Sequence, residues 1–233
     1  MIKLIQIEWL KMRRFCIVFP VMAAFFLLLM VGGLWFFNYR EGDGGVFSIF
    51  AVQYFFLSLT LMLSITILAS VTASTEHEAK GWKLLAALPA AKRNILIAKF
   101  IVVFLLMALE VLLIIAGTAV VWMLASNEAV PWDFMLRQQL YCLLAAGGFM
   151  AVQVWLSTVC SNQSIPVGFG VAGSISSLFL ARSNTGMVHL LPWAYPSLSS
   201  PLIPDHRQWV VAGAVTGVII LLAGIRHFTR IEW

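Results

Sequence analysis

Long apolar runs separated by short polar interruptions dominate the chain. Residues 15–39 and 138–181 carry no charged side chain over 25 and 44 consecutive positions. A helix needs roughly 20 apolar residues to cross a hydrocarbon core of about 30 Å. The second stretch is too long for one such helix. The polar run SNQSIP at 161–166 divides it, with Pro166 suited to the first turn of a new helix. The pattern predicts an all-α integral membrane protein with six spans, at about 15–37, 47–73, 100–125, 140–160, 165–181 and 208–225.

Composition agrees with this pattern. The 233 residues are 61% hydrophobic and only 11% charged, against about 25% charged in a soluble domain. The net charge of +5 does not indicate nucleic acid. In a membrane protein basic residues mark the loops on one side, and there is no basic–aromatic alternation of the kind that binds single strands. Cys16, Cys142 and Cys160 fall within or beside apolar runs, an odd number without metal-ligand spacing, and read as small apolar fillers. The basic start and the following apolar run resemble a secretory signal, and Arg13-Arg14 a twin-arginine one. The apolar run is too long for a signal core and has no small-residue cleavage site, so a retained first span is expected.

Charge then orients the spans. Six crossings put both termini on one side. That side collects eleven basic residues: Lys3, Lys11, Arg13, Arg14, Lys80, Lys83, Lys92, Arg93, Lys99, Arg226 and Arg230. The other side has four: Arg40, Arg137, Arg182 and Arg207. The excess of Lys and Arg in cytoplasmic loops predicts cytoplasmic termini and a cytoplasmic loop between spans two and three.

That loop, 75–99, carries five of the fifteen basic residues between two apolar spans. Thr75 and Glu78 have the spacing of a helix-starting capping box. Trp82, Leu85 and Leu88, with Leu84, form one apolar stripe, and Pro89 ends the helix and allows the next to begin, which is expected to run through Lys92, Arg93 and Lys99 into the third span. Two readings fit these residues. The helix lies on the headgroups with Trp82 at the interface, or its stripe fills a groove on a soluble partner.

The run "EHEAKGWKLLAALPAAKRNILIAK" at 76–99 resembles the first cytoplasmic loop of ABC-2-type transporter permeases, most nearly those of lantibiotic and bacitracin self-immunity exporters. In that family a Glu precedes a coupling helix, a Leu-Leu-x-x-Leu-Pro run follows, and a basic residue leads into the third span. Glu76, Trp82, Lys83, Leu84, Leu85, Leu88, Pro89 and Lys99 fall on this pattern, and Gly81 lies within it. The family's Arg after the Pro is replaced by Lys92 or Arg93. The opening "EWLKMRR" at 8–14 is similar to the family's Glu and basic cluster on an amphipathic helix before the first span.

The resemblance implies a single transmembrane domain over 1–233, in a bacterial plasma membrane, with coupling through Glu76, Gly81, Trp82, Lys83, Leu85, Leu88 and Pro89. It also implies short re-entrant helices before the last span. The chain has no G-x-x-x-x-G-K-[ST] phosphate loop. ATP and Mg are then expected on a separate ATP-binding subunit, in two copies, beneath two permeases that are identical or related. This chain is expected to hold no cofactor or metal and to perform no catalysis. The implied activity is export of an antimicrobial peptide or similar amphiphile, giving immunity or antibiotic resistance. The alternatives are export of lipid or drug, a stand-alone channel, or a peptide-binding immunity protein. A membrane metalloprotease is a poor fit, because the spans hold one carboxylate and there is no H-E-x-x-H.

That carboxylate is Glu110, about mid-span in the third helix. It either faces a polar route for cargo or is satisfied by Ser, Thr or Gln on another span. Trp193 and Tyr195, in the Pro-rich segment 182–207, are candidates for the same route or ordinary interfacial aromatics. Gly213 with Gly217, and Ala145, Gly147, Gly148 and Ala151, permit close helix approach.

Overall fold

The computed structural model describes residues 2–12, 14–39, 45–78, 92–183 and 186–230. Every regular element among them is helical: α1 (Ile2–Lys11), α2 (Arg14–Leu34), α3 (Ser48–Glu78), α4 (Lys92–Ala125), α5 (Trp132–Ala145), α6 (Gly147–Val159), α7 (Ser164–Leu180), α8 (Tyr195–Leu198) and α9 (His206–Arg230). A π-helical turn at Trp35–Tyr39 follows α2, and 3-10 turns occupy Gly45–Phe47 and Gly186–Leu190. The Trp35 indole donates to the Gly45 carbonyl at 3.2 Å, where Gly45 takes a φ of +49°, a conformation glycine adopts at little cost.

Among the described residues, five segments are long and apolar enough to cross a membrane: Arg14–Asn38, Gly45–Glu78, Arg93–Ala125, Trp132–Val159 and His206–Arg230. The expected fifth span is α7, whose 17 residues reach only about 25 Å at 1.5 Å per residue.

Several boundaries differ from the hydropathy reading. The second helix runs on to Glu78 and the third begins at Lys92. The charged end of the second is thus an extra turn of a membrane helix rather than the start of a separate loop helix, while Lys92, Arg93 and Lys99 lie on the helix that enters the third span, as expected. The expected capping box is not formed. Thr75 sits in the last turn of α3, and its hydroxyl donates back to the Thr72 carbonyl at 3.1 Å. The fourth span starts at Trp132, eight residues earlier than expected, and bends at Ala146 between α5 and α6.

α3 is the central helix, packed against α2, α4, α6 and α7. Its Phe50, Leu57, Leu61, Met62, Ile65 and Leu68 are fully covered. α2 and α9 leave apolar side chains uncovered, including Phe25, Phe26, Leu29, Val215, Val218 and Leu222, as helices in hydrocarbon do. The segment before α9 dips inward: Ser197 Oγ meets Ser58 Oγ at 2.8 Å and Ser177 Oγ at 2.6 Å, and Tyr54 Oη donates to the Ser197 carbonyl at 2.9 Å.

The small residues of the fourth and last spans face each other within the chain. A Cβ on Gly213 would overlap the Ala145 backbone, and one on Gly217 would lie 2.8 Å from the Gly147 carbonyl carbon. Backbones this close leave no side chain to move aside. Gly213→Val is therefore expected to destabilise the bundle by about 1–3 kcal/mol or more, read as a lower melting temperature in detergent. Gly168→Val, at a position with open space around it, should change stability far less.

Candidate functional site

The described residues place one compact group of buried charges, where α1, α3 and α4 converge. Lys99 Nζ lies 2.9 Å from Glu8 Oε2, 2.8 Å from Glu76 Oε2 and 3.0 Å from the Thr72 carbonyl oxygen. Lys11 Nζ reaches the other oxygens of the same carboxylates, at 3.5 Å from Glu8 and 3.8 Å from Glu76. Lys99 is 1% exposed, Glu76 5% and Glu8 7%, while Lys11 stands at the rim.

Each helix supplies its charge for a local reason. On α1 and just past its end, Ile5, Glu8 and Met12 recur at three- and four-residue spacing, so Glu8 shares the buried face with two apolar side chains. Glu76 closes the buried stripe of α3, below Ala69, Thr72 and Ala73. Lys99 lies two turns into α4, between Leu96 and Val103, both fully covered. Its ammonium has three N–H donors, and the Glu8, Glu76 and Thr72 oxygens lie within their reach. Two carboxylates and two ammonium groups leave the group neutral. A buried charge network of this kind holds only while it is complete, because removing one member strands its partners away from water.

The contact extends up the α3–α4 hairpin. Ser64 Oγ donates to Glu110 Oε1 at 2.9 Å, and Gln53 Nε2 donates to Thr118 Oγ1 at 2.9 Å. Gln53 and Ser64 are eleven residues apart, as are Lys99 and Glu110, a spacing of three turns that returns to one face. The hairpin is thus joined by polar contacts at three depths. Other contacts anchor α3 to the α6–α7 turn: Ser70 Oγ donates to Gln163 Oε1 at 3.0 Å, and His77 Nε2 lies 3.2 Å from the Ser157 carbonyl.

Of the residues singled out from sequence, Glu76 stands in the charged group. Glu110 is buried in the α3–α4 interface, with Ser64 of another span as its partner. Trp193 packs edge-on to Phe169 at 5.7 Å, and Tyr195 stacks on Trp209 at 5.8 Å and donates to the Leu190 carbonyl at 2.8 Å. Tyr195 is buried. Gly81, Trp82, Lys83, Leu85, Leu88 and Pro89 lie outside the described residues.

Residues 4–177 match the family described as ABC-2 family transporter protein. The match covers well over half of the chain and spans every member of the charged group. The chain belongs to the ABC-2 transporter family. No curated protein matches it. As an ABC-2 permease domain it is a membrane transport subunit, and the chain carries no ATPase domain. Permeases of this kind generally pair with ATP-binding subunits.

The sequence reading placed Lys99 with the loop cations and gave Glu8 no site role. A signal was present for both. Lys99 sits inside the apolar run ILIAKFIVVF, and Glu8 is the one acid of an otherwise basic N-terminal segment. Isolated charges of opposite sign on apolar faces point to one another once their helices meet.

Proposed function

We propose that the chain is the permease of an ATP-driven exporter, with six spans and both termini in the cytoplasm. Segment 79–91, at the centre of the expected coupling stretch 75–99, docks a separate ATPase. Two ATPase copies serve two permeases, identical or related, in a bacterial plasma membrane. The observation that carries this reading is the charged group of Glu8, Glu76, Lys99 and Lys11. It joins the two helices flanking the segment to the N-terminal helix. A displacement of that segment by the ATPase is then shared by α1, α3 and α4, and the polar contacts at Ser64–Glu110 and Gln53–Thr118 carry it along the hairpin. Coupling also requires that the ATPase hold the segment differently in its two states.

The cargo is an amphiphile that enters from the membrane, with an antimicrobial peptide as the first choice and a lipid or drug as the second. The uncovered apolar faces of α2 and α9 suit lateral entry by such a molecule. Trp193 and Tyr195, near the outer end, remain candidates for its exit route.

Orientation is tested by labelling single cysteines in intact cells of a Cys-free variant. Positions 43 and 133 are expected to react with an impermeant maleimide, and position 83 is not. Labelling at 83 would invert the topology and remove the docking proposal with it.

Glu110→Gln is expected to keep the Ser64 contact, insert normally and lower transport severalfold. An uncharged isostere satisfies the same hydrogen bond, so unaltered transport would assign Glu110 to packing alone.

A further inference from the structure

We propose that the outer face of α1 is a docking surface for anionic phospholipid headgroups. α1 has two unlike faces. Ile5, Glu8 and Met12 turn toward the bundle, where Glu8 meets Lys99. Lys3, Gln6, Ile7, Trp9 and Leu10 turn away from it, and Leu10 is 82% exposed. Arg14, at the start of α2 and three residues past the end of α1, is also exposed. The only carboxylate of α1 is the one drawn inward, so the outer face combines apolar side chains with positive charge. Lys3 and Arg14 have no acidic partner among the described residues.

The position of the helix decides what such a face meets. α1 ends at Lys11 and the first span begins at Arg14, so the helix is held at the level of the headgroups. A helix there buries its apolar side chains at the acyl boundary and sets its cations among the phosphates. An aqueous setting would leave Ile7, Trp9 and Leu10 uncovered. A zwitterionic surface would cover them without answering the charge. A leaflet containing anionic lipid does both, and each Lys or Arg near such a surface favours it by about fivefold.

The test is lipid-specific quenching of Trp9 in the full-length chain, reconstituted in phosphatidylcholine vesicles containing one-fifth phosphatidylglycerol. The chain has nine tryptophans, so the Trp9 signal is taken as wild type minus Trp9→Phe. Brominated phosphatidylglycerol is expected to quench it at least about fivefold more per mole than brominated phosphatidylcholine. The preference should fall to near unity in Lys3→Gln/Arg14→Gln and persist in Lys3→Arg. Equal quenching by both lipids overturns the anionic preference. Absence of quenching by either shows the face covered by protein or water and overturns the docking surface. A preference that survives the double substitution overturns the role of these two cations. The measurement needs no ATPase, so its outcome is separate from that of the coupling proposal.

Discussion

Lys99→Met is expected to destabilise the permease by about 3–5 kcal/mol, the scale for removing one partner from a buried charge network. Methionine fills much of the same volume, so packing changes little. What changes is that Glu8 and Glu76, whose oxygens lie 2.9 and 2.8 Å from the Lys99 ammonium, then face each other with Lys11, at the rim, the one cation beside them among the described residues. Neutralising all three, as Glu8→Gln/Glu76→Gln/Lys99→Met, should recover most of the loss, since a neutral group of similar volume avoids the stranded charges. The Arg137–Asp133 pair supplies the contrast. Its 2.7 Å contact is exposed at both partners, and Arg137→Ala should cost less than about 1 kcal/mol. Thermal unfolding in detergent compares these variants directly. A single Lys99→Met variant as stable as the wild type would show that the charges are not held as a network. The triple variant also separates folding from coupling: it is expected to stay folded and bind the ATPase while hydrolysis proceeds with reduced transport.

Hydropathy was enough to locate the crossing segments, because twenty or so apolar residues in water-free hydrocarbon leave the backbone little choice but helix. The stretches that became α2, α3, α4 and α9 were legible on that ground alone. Their ends were not. Glu76 is polar enough to read as loop, yet it continues a helix whose backbone hydrogen bonds need no apolar side chain. Thr75 shows the same limit: its spacing to Glu78 fits a helix start, but a hydroxyl in a final turn satisfies itself on the preceding carbonyl. The charged group was legible only in parts. Glu76 and Lys99 were visible as a Glu before the segment and a basic residue after it. That Glu8, more than sixty residues earlier in the chain, closes the group depends on α1 folding back onto α4, which no local pattern records. The pairing of Gly213 with Ala145 is of the same kind. Each half was readable as a small-residue surface, and only the fold shows that each is the other's partner.

Trp82→Ala with Leu85→Ala is expected to abolish most ATPase binding. Their spacing from Leu88 fits one stripe of an expected helix. At an interface a buried aromatic anchor is worth roughly 2–4 kcal/mol, so losing Trp82 alone should weaken association tenfold or more. The spacing of Lys83 would put it off that stripe, and Lys83→Ala should matter little, because rim charges contribute mainly to the encounter rate. A helix lying on headgroups predicts the opposite: the ATPase stays bound and only the placement of the segment changes. The decisive measurement is the amount of ATPase that co-purifies with each full-length permease variant from detergent-solubilised membranes, at equal permease levels. Docking through segment 79–91 predicts near-complete loss from the Trp82→Ala/Leu85→Ala permease and near wild-type recovery with Lys83→Ala. Full recovery of the ATPase by the double variant would contradict it.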